Sequence, residues 1–399
     1  MNVLRVALVS LHTSPLAVPG TGDAGGLNVY VVALAEALTD LGAEVELLTR
    51  RTDDEAPAVS QTPGGVTVRF LPAGPPHPVP KEELPPIVGR FQSELSELPR
   101  YDVLHSHYWL SGLAALPVAT MQHAVHIQSL HTVGALKNVE RAPDALAEPE
   151  ARLNAERLLV TRSAATIAST EVERAAIVRE YAARPDRVHV IAPGVDTALF
   201  HPDARRAASA GKGTSEPFLL CLGRIQPLKG YDLAIRTLAA IAPALRPRLV
   251  IAGTATPGAE VYLEELRVLS LQLGVAHCVD FVGAQTREQA AELLRRATLL
   301  LLPSHSETFG LVALEAAASG TPVVSTRTSG MAVSVSDGLS GVLLDSRDPV
   351  VWASAVNRLL LNPAELARLS TTAARYGARH RWRSTAEATL ALYRKAASV

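Results

Sequence analysis

Short apolar runs recur along the 399-residue chain, separated by stretches of helix formers, and that alternation constrains the fold more than any other feature. In the first half the runs Leu4–Ser10, Glu44–Thr49, Val66–Leu71, Val103–His105, Val125–Ser129, Thr166–Ser169 and Val188–Ile191 read as strands. Helices are expected over Gly26–Leu41, Leu84–Leu98, Glu150–Ser163 and Glu171–Tyr181. A second series of strands is expected at Phe218–Leu222, Arg248–Ala252, Val279–Val282, Leu299–Leu302 and Val323–Ser325, with helices between and an amphipathic helix closing at Glu387–Ala397. Runs without polar alternation suit strands covered on both faces, and parallel neighbours need the crossovers that intervening helices supply. The expected fold is therefore α/β: two doubly wound, Rossmann-like domains facing across a cleft, with ligands at the carboxyl ends of the strands.

This length exceeds one ordinary core, which also argues for two domains. The aperiodic stretch HPDARRAASAGKGTSEP falls between the two series. It sets the expected division: 1–200, a linker at 201–216, a second domain at 217–380 and a terminal helix at 381–399 packing back on the first. No fixed-period repeat is visible, so a solenoid is excluded.

Charge narrows the function classes. A net charge of −1 gives no general positive field for nucleic acid or membrane, so any phosphate site must be built locally. No apolar run is long enough to span a bilayer. Val3–Leu11 carries Arg5 in its middle and lacks a basic lead-in or small-residue cleavage site, so it reads as a strand rather than a signal. Cys221 and Cys278, in apolar surroundings, read as small core residues in a reducing compartment, and the expected location is cytoplasmic.

The richest stretch is LLLLPSHSETFGLVALEAAASGTP, Leu299 to Pro322. It reads as a strand, a polar turn at Ser304–Thr308, and a helix from Phe309 to Ala318 stopped by Gly320 and Pro322. The unpaired N–H groups and dipole at the helix start, Thr308–Leu311, suit phosphate oxygens. Glu307 and Glu315 lie eight positions apart, so a carboxylate stands at each end of a short helix. Sugar hydroxyls at one end, a pyrophosphate at the helix start and ribose hydroxyls at the other end describe a nucleotide sugar. Gly223-Arg-Ile-Gln-Pro-Leu-Lys-Gly230 follows the first strand of the same half. Its Arg224 and Lys229 can offset a diphosphate's charge and stabilise it as a leaving group.

Gly20-Thr-Gly-Asp-Ala-Gly25 matches a dinucleotide fingerprint literally but lies nine residues beyond its strand. The second strand ends in Thr49-Arg50-Arg51, which makes an NADP oxidoreductase the rival enzyme class. That rival leaves the second-half motifs idle; the better reading is a flexible loop that lets backbone approach a ligand and presents Asn28 at a helix start. His105 and His107 read equally as core or cleft residues, and His131 and Thr132, at a strand end, as site residues. Lys81 and Arg152, taken alone, read as solvated surface charges. No metal-ligand spacing or G-x-S-x-G elbow is present.

Seven segments together carry a resemblance over nearly the full length. They are His12-Thr-Ser-Pro-Leu16, Pro19-Gly-Thr-Gly-Asp-Ala-Gly-Gly-Leu-Asn-Val-Tyr30, Lys81-Glu-Glu-Leu-Pro85, His105-Ser-His-Tyr-Trp-Leu-Ser-Gly112, His131-Thr132 with Lys137-Asn138, Gly223–Gly230 and Glu307–Glu315. The chain resembles the retaining glycosyltransferases of family 4 with the GT-B fold, and among them the branch that glycosylates inositol phosphate at the start of mycothiol biosynthesis. The resemblance implies transfer of N-acetylglucosamine from UDP-GlcNAc to 1D-myo-inositol 3-phosphate, with retention and release of UDP by front-face displacement. It implies catalytic roles for His131, Arg224, Lys229 and Glu307. Arg224 and Lys229 would hold the diphosphate, Glu307 the sugar and Glu315 the ribose. Thr308, Phe309, Gly310 and Leu311 would lie at the helix start, with His12 and Gly26 near the donor. Asp23, Ala24, Gly25, Gly26, Leu27 and Asn28 would form a mobile loop between donor and acceptor. Lys81, Tyr108, Thr132 and Arg152 would grip inositol phosphate.

The chain departs from the family pattern on the donor side: at Gln285 where the family has arginine, at Ser329-Gly330 where it has Gly-Gly, and at Gly253-Thr254-Ala255 where its loop is richer in Gly and Ser. A different UDP-sugar, or a different cyclitol or sugar-phosphate acceptor, is the alternative within the family. No cofactor is expected for catalysis; family members bind a structural Mg2+ in the region of Leu294, Arg295, Ala297 and Thr321. The expected partners are the nucleotide sugar and inositol phosphate, without nucleic acid or membrane span, and with a homodimer allowed.

Overall fold

The computed structural model describes residues 3–20, 24–139, 146–203, 217–256 and 258–398. The chain divides into two compact units: residues 1–17, 27–193 and 382–399 form one, and residues 18–26 and 194–381 the other. In the first, the order is β1 (Arg5–Ser10), α1 (Gly26–Asp40), β2 (Glu44–Arg50), β3 (Val59–Gln61), β4 (Thr67–Leu71), α2 (Val88–Ser96), β5 (Val103–His107), α3 (Trp109–Gln122), β6 (Val125–Ser129), α4 (Gly134–Val139), α5 (Glu150–Arg162), β7 (Ala165–Ala168), α6 (Glu171–Tyr181) and β8 (Val188–Val190). Its sheet runs β3-β4-β2-β1-β5-β6-β7-β8, parallel except for the edge strand β3.

The second unit holds β9 (Phe218–Leu222), α7 (Tyr231–Ala240), β10 (Arg248–Ala252), α8 (Glu260–Gln272), β11 (Val279–Gly283), α9 (Arg287–Arg296), β12 (Leu299–Leu302), α10 (Leu311–Ala318), β13 (Val323–Thr326), α11 (Met331–Ser334), β14 (Gly341–Leu344), α12 (Pro349–Leu360) and α13 (Pro363–Gly377). Its sheet is parallel in the order β11-β10-β9-β12-β13-β14. The closing helix α14 (Trp382–Ala397) belongs to the first unit, where Thr385 Oγ1 donates to the Ala192 carbonyl at 2.8 Å.

Each sheet reverses its winding once, between β1 and β5 and between β9 and β12. The loops leaving those strand pairs diverge to opposite faces, which opens a crevice at their carboxyl ends. Leu8, Leu104 and Ile127 in one sheet, and Leu220, Ile251 and Leu301 in the other, have essentially no exposed surface. Rigid strands under such packing fix where the loops depart.

Four local expectations need correction. The helix expected from Leu84 begins at Val88, because Pro85 and Pro86 lack donors and leave short 3-10 turns over Lys81–Glu83 and Pro85–Ile87. The helix expected from Phe309 begins at Leu311, since Gly310 adopts φ +82 and caps it. Strand β5 runs two residues past His105, and the closing helix starts five residues before Glu387. The sequence reading also passed over α3, where Pro117 sits mid-helix behind a buried face of Leu110, Ala114, Ala115 and Val118. Tertiary burial there overrides a local breaker. Among the described residues no helix is long and apolar enough to cross a membrane.

Candidate active site

In the second unit the ends of β9 and β12 bring the two second-half motifs together. Gly230 has φ +66, and a Cβ there would lie 2.2 Å from the Pro303 carbonyl oxygen, so the basic turn packs directly on the loop after β12. Lys229 Nζ reaches Glu307 Oε2 at 2.5 Å, both side chains about one-fifth exposed. The Glu307 backbone is pinned from the other side, its carbonyl accepting the Gly330 N–H at 3.1 Å. Glu315, on α10, meets Arg287 Nη1 at 2.5 Å, and the Arg287 guanidinium stands 4.7 Å from the Phe200 ring. The expected carboxylate at each helix end is corrected: Glu307 stands in the loop before α10 and Glu315 in the middle of α10, and each is held by a cation. Gly310 and Phe309 are buried between them, while Thr308 and Leu311 are half-buried.

Residues 18–26 count with this unit. The Gly20 carbonyl accepts from Thr254 Oγ1 at 2.7 Å, and a Cβ on Gly25 would stand 3.5 Å from Arg224 Nε. A Cβ on Gly26 would stand 3.5 Å from Leu311 Cδ1, and Ala24 is buried. Backbone therefore lies close to both the arginine and the helix start. Asp23 lies outside the described residues.

The first unit builds a different surface at its own winding reversal. The His12 and Tyr108 rings, following β1 and β5, are 4.4 Å apart. Asn28, buried at the start of α1, donates to Thr13 Oγ1 at 2.9 Å and to the Ser14 carbonyl at 2.6 Å, fixing the segment that carries His12. Leu27 packs against the apolar cluster of Leu11, Trp109 and Leu110. Tyr108 has φ +76 and His131 has φ +62, a costly backbone for non-glycine residues. His123 and Ala182, the other two such residues among those described, are ordinary helix C-caps. Tyr108 is instead the one residue joining β5 to α3, as its N-cap, and His131 follows shortly after β6, both at carboxyl ends of strands where stored strain is common.

His107 Nδ1 lies 2.8 Å from His131 Nε2. Burial lowers the His131 pKa to about 3, and burial together with His105, His131 and His12 holds His107 well below its ordinary value, so both rings are neutral at neutral pH. His105 is a core residue, its nitrogens taken by Tyr393 Oη at 2.6 Å and Ser129 Oγ at 2.8 Å.

Arg152 is buried, not a solvated charge. Its Nη2 donates to both the carbonyl and Oγ1 of Thr132 at 2.8 Å, Nε to Glu156 at 2.6 Å and Nη1 to Glu148 at 2.7 Å, and the guanidinium stands 5.0 Å from the Tyr108 ring. Burial opposes its charge, and Glu156, Tyr108 and Glu148 together outweigh that and raise its pKa. Burial likewise raises the Tyr108 pKa, against the nearby charges of Arg152 and Lys81. Lys81 is itself exposed, 3.6 Å from Glu82. Tyr108, Thr132 and Arg152 therefore form one cluster, with Lys81 acting on its tyrosine from the surface.

The arginines behind the NADP reading are spent on loop carbonyls. Arg50 donates to Pro75 at 2.7 Å and His77 at 2.9 Å, and Arg51 to Asp53, Asp54 and Ala56. Gln285 turns its amide onto the carbonyls of Val282, Gly283 and Ala284. At the magnesium region, Thr321 Oγ1 donates to the Leu294 carbonyl, and Arg295 donates to the Leu199 carbonyl at 2.9 Å. Those four positions offer backbone carbonyls and one hydroxyl but no carboxylate, and the Arg295 guanidinium is turned onto the Leu199 carbonyl and Glu292. Sequence reasoning missed Arg287, Glu148 and Glu156, since the residues they pair with carry no local signal of a partner.

The Glycosyl transferase 4-like domain family matches residues 25–194, and the Glycosyl transferases group 1 family matches residues 204–376. A protein of Acidothermus cellulolyticus named D-inositol 3-phosphate glycosyltransferase is 40% identical over 405 residues, covering 98% of this chain and 90% of that one. D-inositol 3-phosphate glycosyltransferase 2 of Catenulispora acidiphila is 42% identical, covering 98% and 94%. Among solved structures, sucrose-phosphate synthase from Thermosynechococcus elongatus superposes with a TM-score of 0.89 at 29% identity, covering 98% of each chain. Anabaena HepE, in complex with UDP and glucose, superposes at 0.78 and 17% identity, covering 98% and 100%, a likeness of fold alone.

Proposed function

Because the chain belongs to the family 4 glycosyltransferases of GT-B fold, we propose that it moves N-acetylglucosamine from UDP-GlcNAc to 1D-myo-inositol 3-phosphate, with retention. The observation that carries the acceptor reading is the cluster of Arg152 on Thr132 and beside Tyr108. A buried guanidinium next to a hydroxyl and a phenol is suited to a phosphate monoester, and relatives at about 40% identity bear the name of an inositol-phosphate transferase. In this reading Arg224 and Lys229 hold the diphosphate, Glu307 a hydroxyl of the sugar and Glu315 the ribose hydroxyls.

The bond from the anomeric carbon to the UDP oxygen breaks as the inositol hydroxyl attacks from the same face. The departing oxygen takes that hydroxyl's proton, and the sugar passes through an oxocarbenium-like state. The chain supplies position and charge: Arg224, Lys229 and the helix start at Leu311 stabilise the leaving diphosphate. Neutral His131, its Nε2 engaged by His107, keeps Nδ1 for a sugar hydroxyl.

UDP release tests this, with UDP-GlcNAc and UDP-glucose each offered alone, with inositol 3-phosphate and with a hexose phosphate. Release that requires UDP-GlcNAc and the phosphorylated acceptor is the expected result, and Lys81→Ala abolishes it. Release with UDP-glucose and a hexose phosphate would overturn the substrate assignment in favour of a sugar-phosphate acceptor, the reading that the likeness to sucrose-phosphate synthase supports.

A further inference from the structure

Arg152 lies between two carboxylates of unlike standing. Glu156 has no exposed surface and also accepts the Gly134 N–H at 2.8 Å and Tyr181 Oη at 2.5 Å, which makes it the permanent counter-ion. Glu148, just ahead of α5, keeps 18% of its side chain exposed. Its Oε2 takes Arg152 Nη1 at 2.7 Å, its Oε1 takes Lys137 Nζ, and its backbone N–H donates to Asn138 Oδ1 at 2.7 Å. One partly exposed carboxylate therefore bridges two cations, at the guanidinium that also meets the Thr132 hydroxyl. The Lys137-Asn138 pair, singled out by the sequence but given no task so far, is what holds it there.

Two carboxylate oxygens shared between an arginine and a lysine offer the same acceptors as two oxygens of a phosphate monoester. We infer that Glu148 keeps the place of the acceptor's phosphate, and that Lys137 is a further phosphate-binding cation. The incoming phosphate displaces the Glu148 carboxylate from Arg152 Nη1 and Lys137 Nζ, while Glu156 holds the guanidinium throughout. A phosphate near its second ionisation carries more charge and a third oxygen, so the exchange runs towards ligand. A neutral cyclitol cannot drive it, and the device thereby rejects unphosphorylated acceptors. This inference rests on the acceptor reading above.

Inorganic phosphate is the probe that separates the two, its affinity read by calorimetry alongside the KM for inositol 3-phosphate. Glu148→Gln keeps the shape and removes the competing charge. It is expected to tighten phosphate binding and to lower the acceptor KM by roughly three- to tenfold, while Lys137→Ala weakens both by roughly tenfold. Lys137→Arg, which keeps the charge, weakens both less than Lys137→Ala does, and melting scans of every variant confirm folding. Unchanged or weaker phosphate binding in Glu148→Gln would overturn the inference, leaving Glu148 as a strut for Arg152. Tighter phosphate binding in a protein that does not use inositol 3-phosphate would uphold the exchange and refute the acceptor assignment instead.

Discussion

Gly330→Ala adds one methyl group, and its consequences follow from the coordinates. Gly330 has φ −75 and ψ −40, a helical backbone that alanine adopts without strain, so the effect is purely one of space. The added Cβ would lie 2.1 Å from the Glu307 carbonyl oxygen, 2.4 Å from the Thr308 carbonyl carbon and 2.5 Å from the Thr308 carbonyl oxygen. Each of these atoms is backbone, so no side chain can swing aside. Relief to ordinary contact requires the Glu307–Thr308 segment to retreat by about 1 Å, which stretches the 3.1 Å bond from Gly330 N–H to Glu307 and draws Glu307 away from Lys229. Overpacking of this kind costs about 1–3 kcal/mol of stability, and a displacement near 1 Å at a reacting group costs about a hundredfold in rate. Calorimetric melting and kcat/KM for UDP release give the two readouts. Gly89→Ala is the matched control, at an exposed helical position where the new Cβ meets nothing within 4 Å. It should stabilise by about 0.5–1 kcal/mol through the unfolded chain. Wild-type melting and wild-type donor kinetics in Gly330→Ala would refute the steric argument.

Arg287→Ala strands the Glu315 carboxylate, which is one-tenth exposed; the donor KM should rise roughly tenfold and melting should fall, measured on the same preparations. Glu173, fully buried, has its pKa raised by burial to about 7 from 4.5, with its Oε2 on the Ser169 N–H. The folded state therefore holds this proton where the unfolded chain has lost it, so stability is lost as pH rises from 4.5 through 7. Glu173→Gln should remove that loss and stabilise the protein by about 2–3 kcal/mol at pH 8 with little effect at pH 4.5, seen by urea melts at both values. His126 and His131 act in the opposite sense. Their folded pKa values of about 3 lie below the ordinary 6.5, so the unfolded chain takes up protons first and stability falls as pH drops from 6.5 towards 3. In wild type the stability maximum should lie near neutrality, and Glu173→Gln should extend it to higher pH.

The chain's local order wrote down a good deal of this molecule. An unalternating apolar run as short as Leu299–Leu302, closed by Pro303, suits a strand buried on both faces, and Gly320 and Pro322 stop the helix after it. The spacing of Glu307 and Glu315 set both carboxylates about the start of that helix, but not at its two ends, because Gly310 delays the helix to Leu311. Periodicity, propensity and missing donors act within a few residues, so sequence carries them directly. Partners were another matter. Nothing near Arg152 told that it would be buried on Thr132 between Glu148 and Glu156, and nothing near Glu315 named Arg287. Pro117 is a local helix breaker, yet it lies inside α3, whose buried face holds the helix together. Those outcomes depend on which strands lie side by side where each sheet reverses its winding, and on the cost of burying a charge without a counter-charge. Such constraints act through space, between residues far apart in the chain, and only the folded structure brings them together.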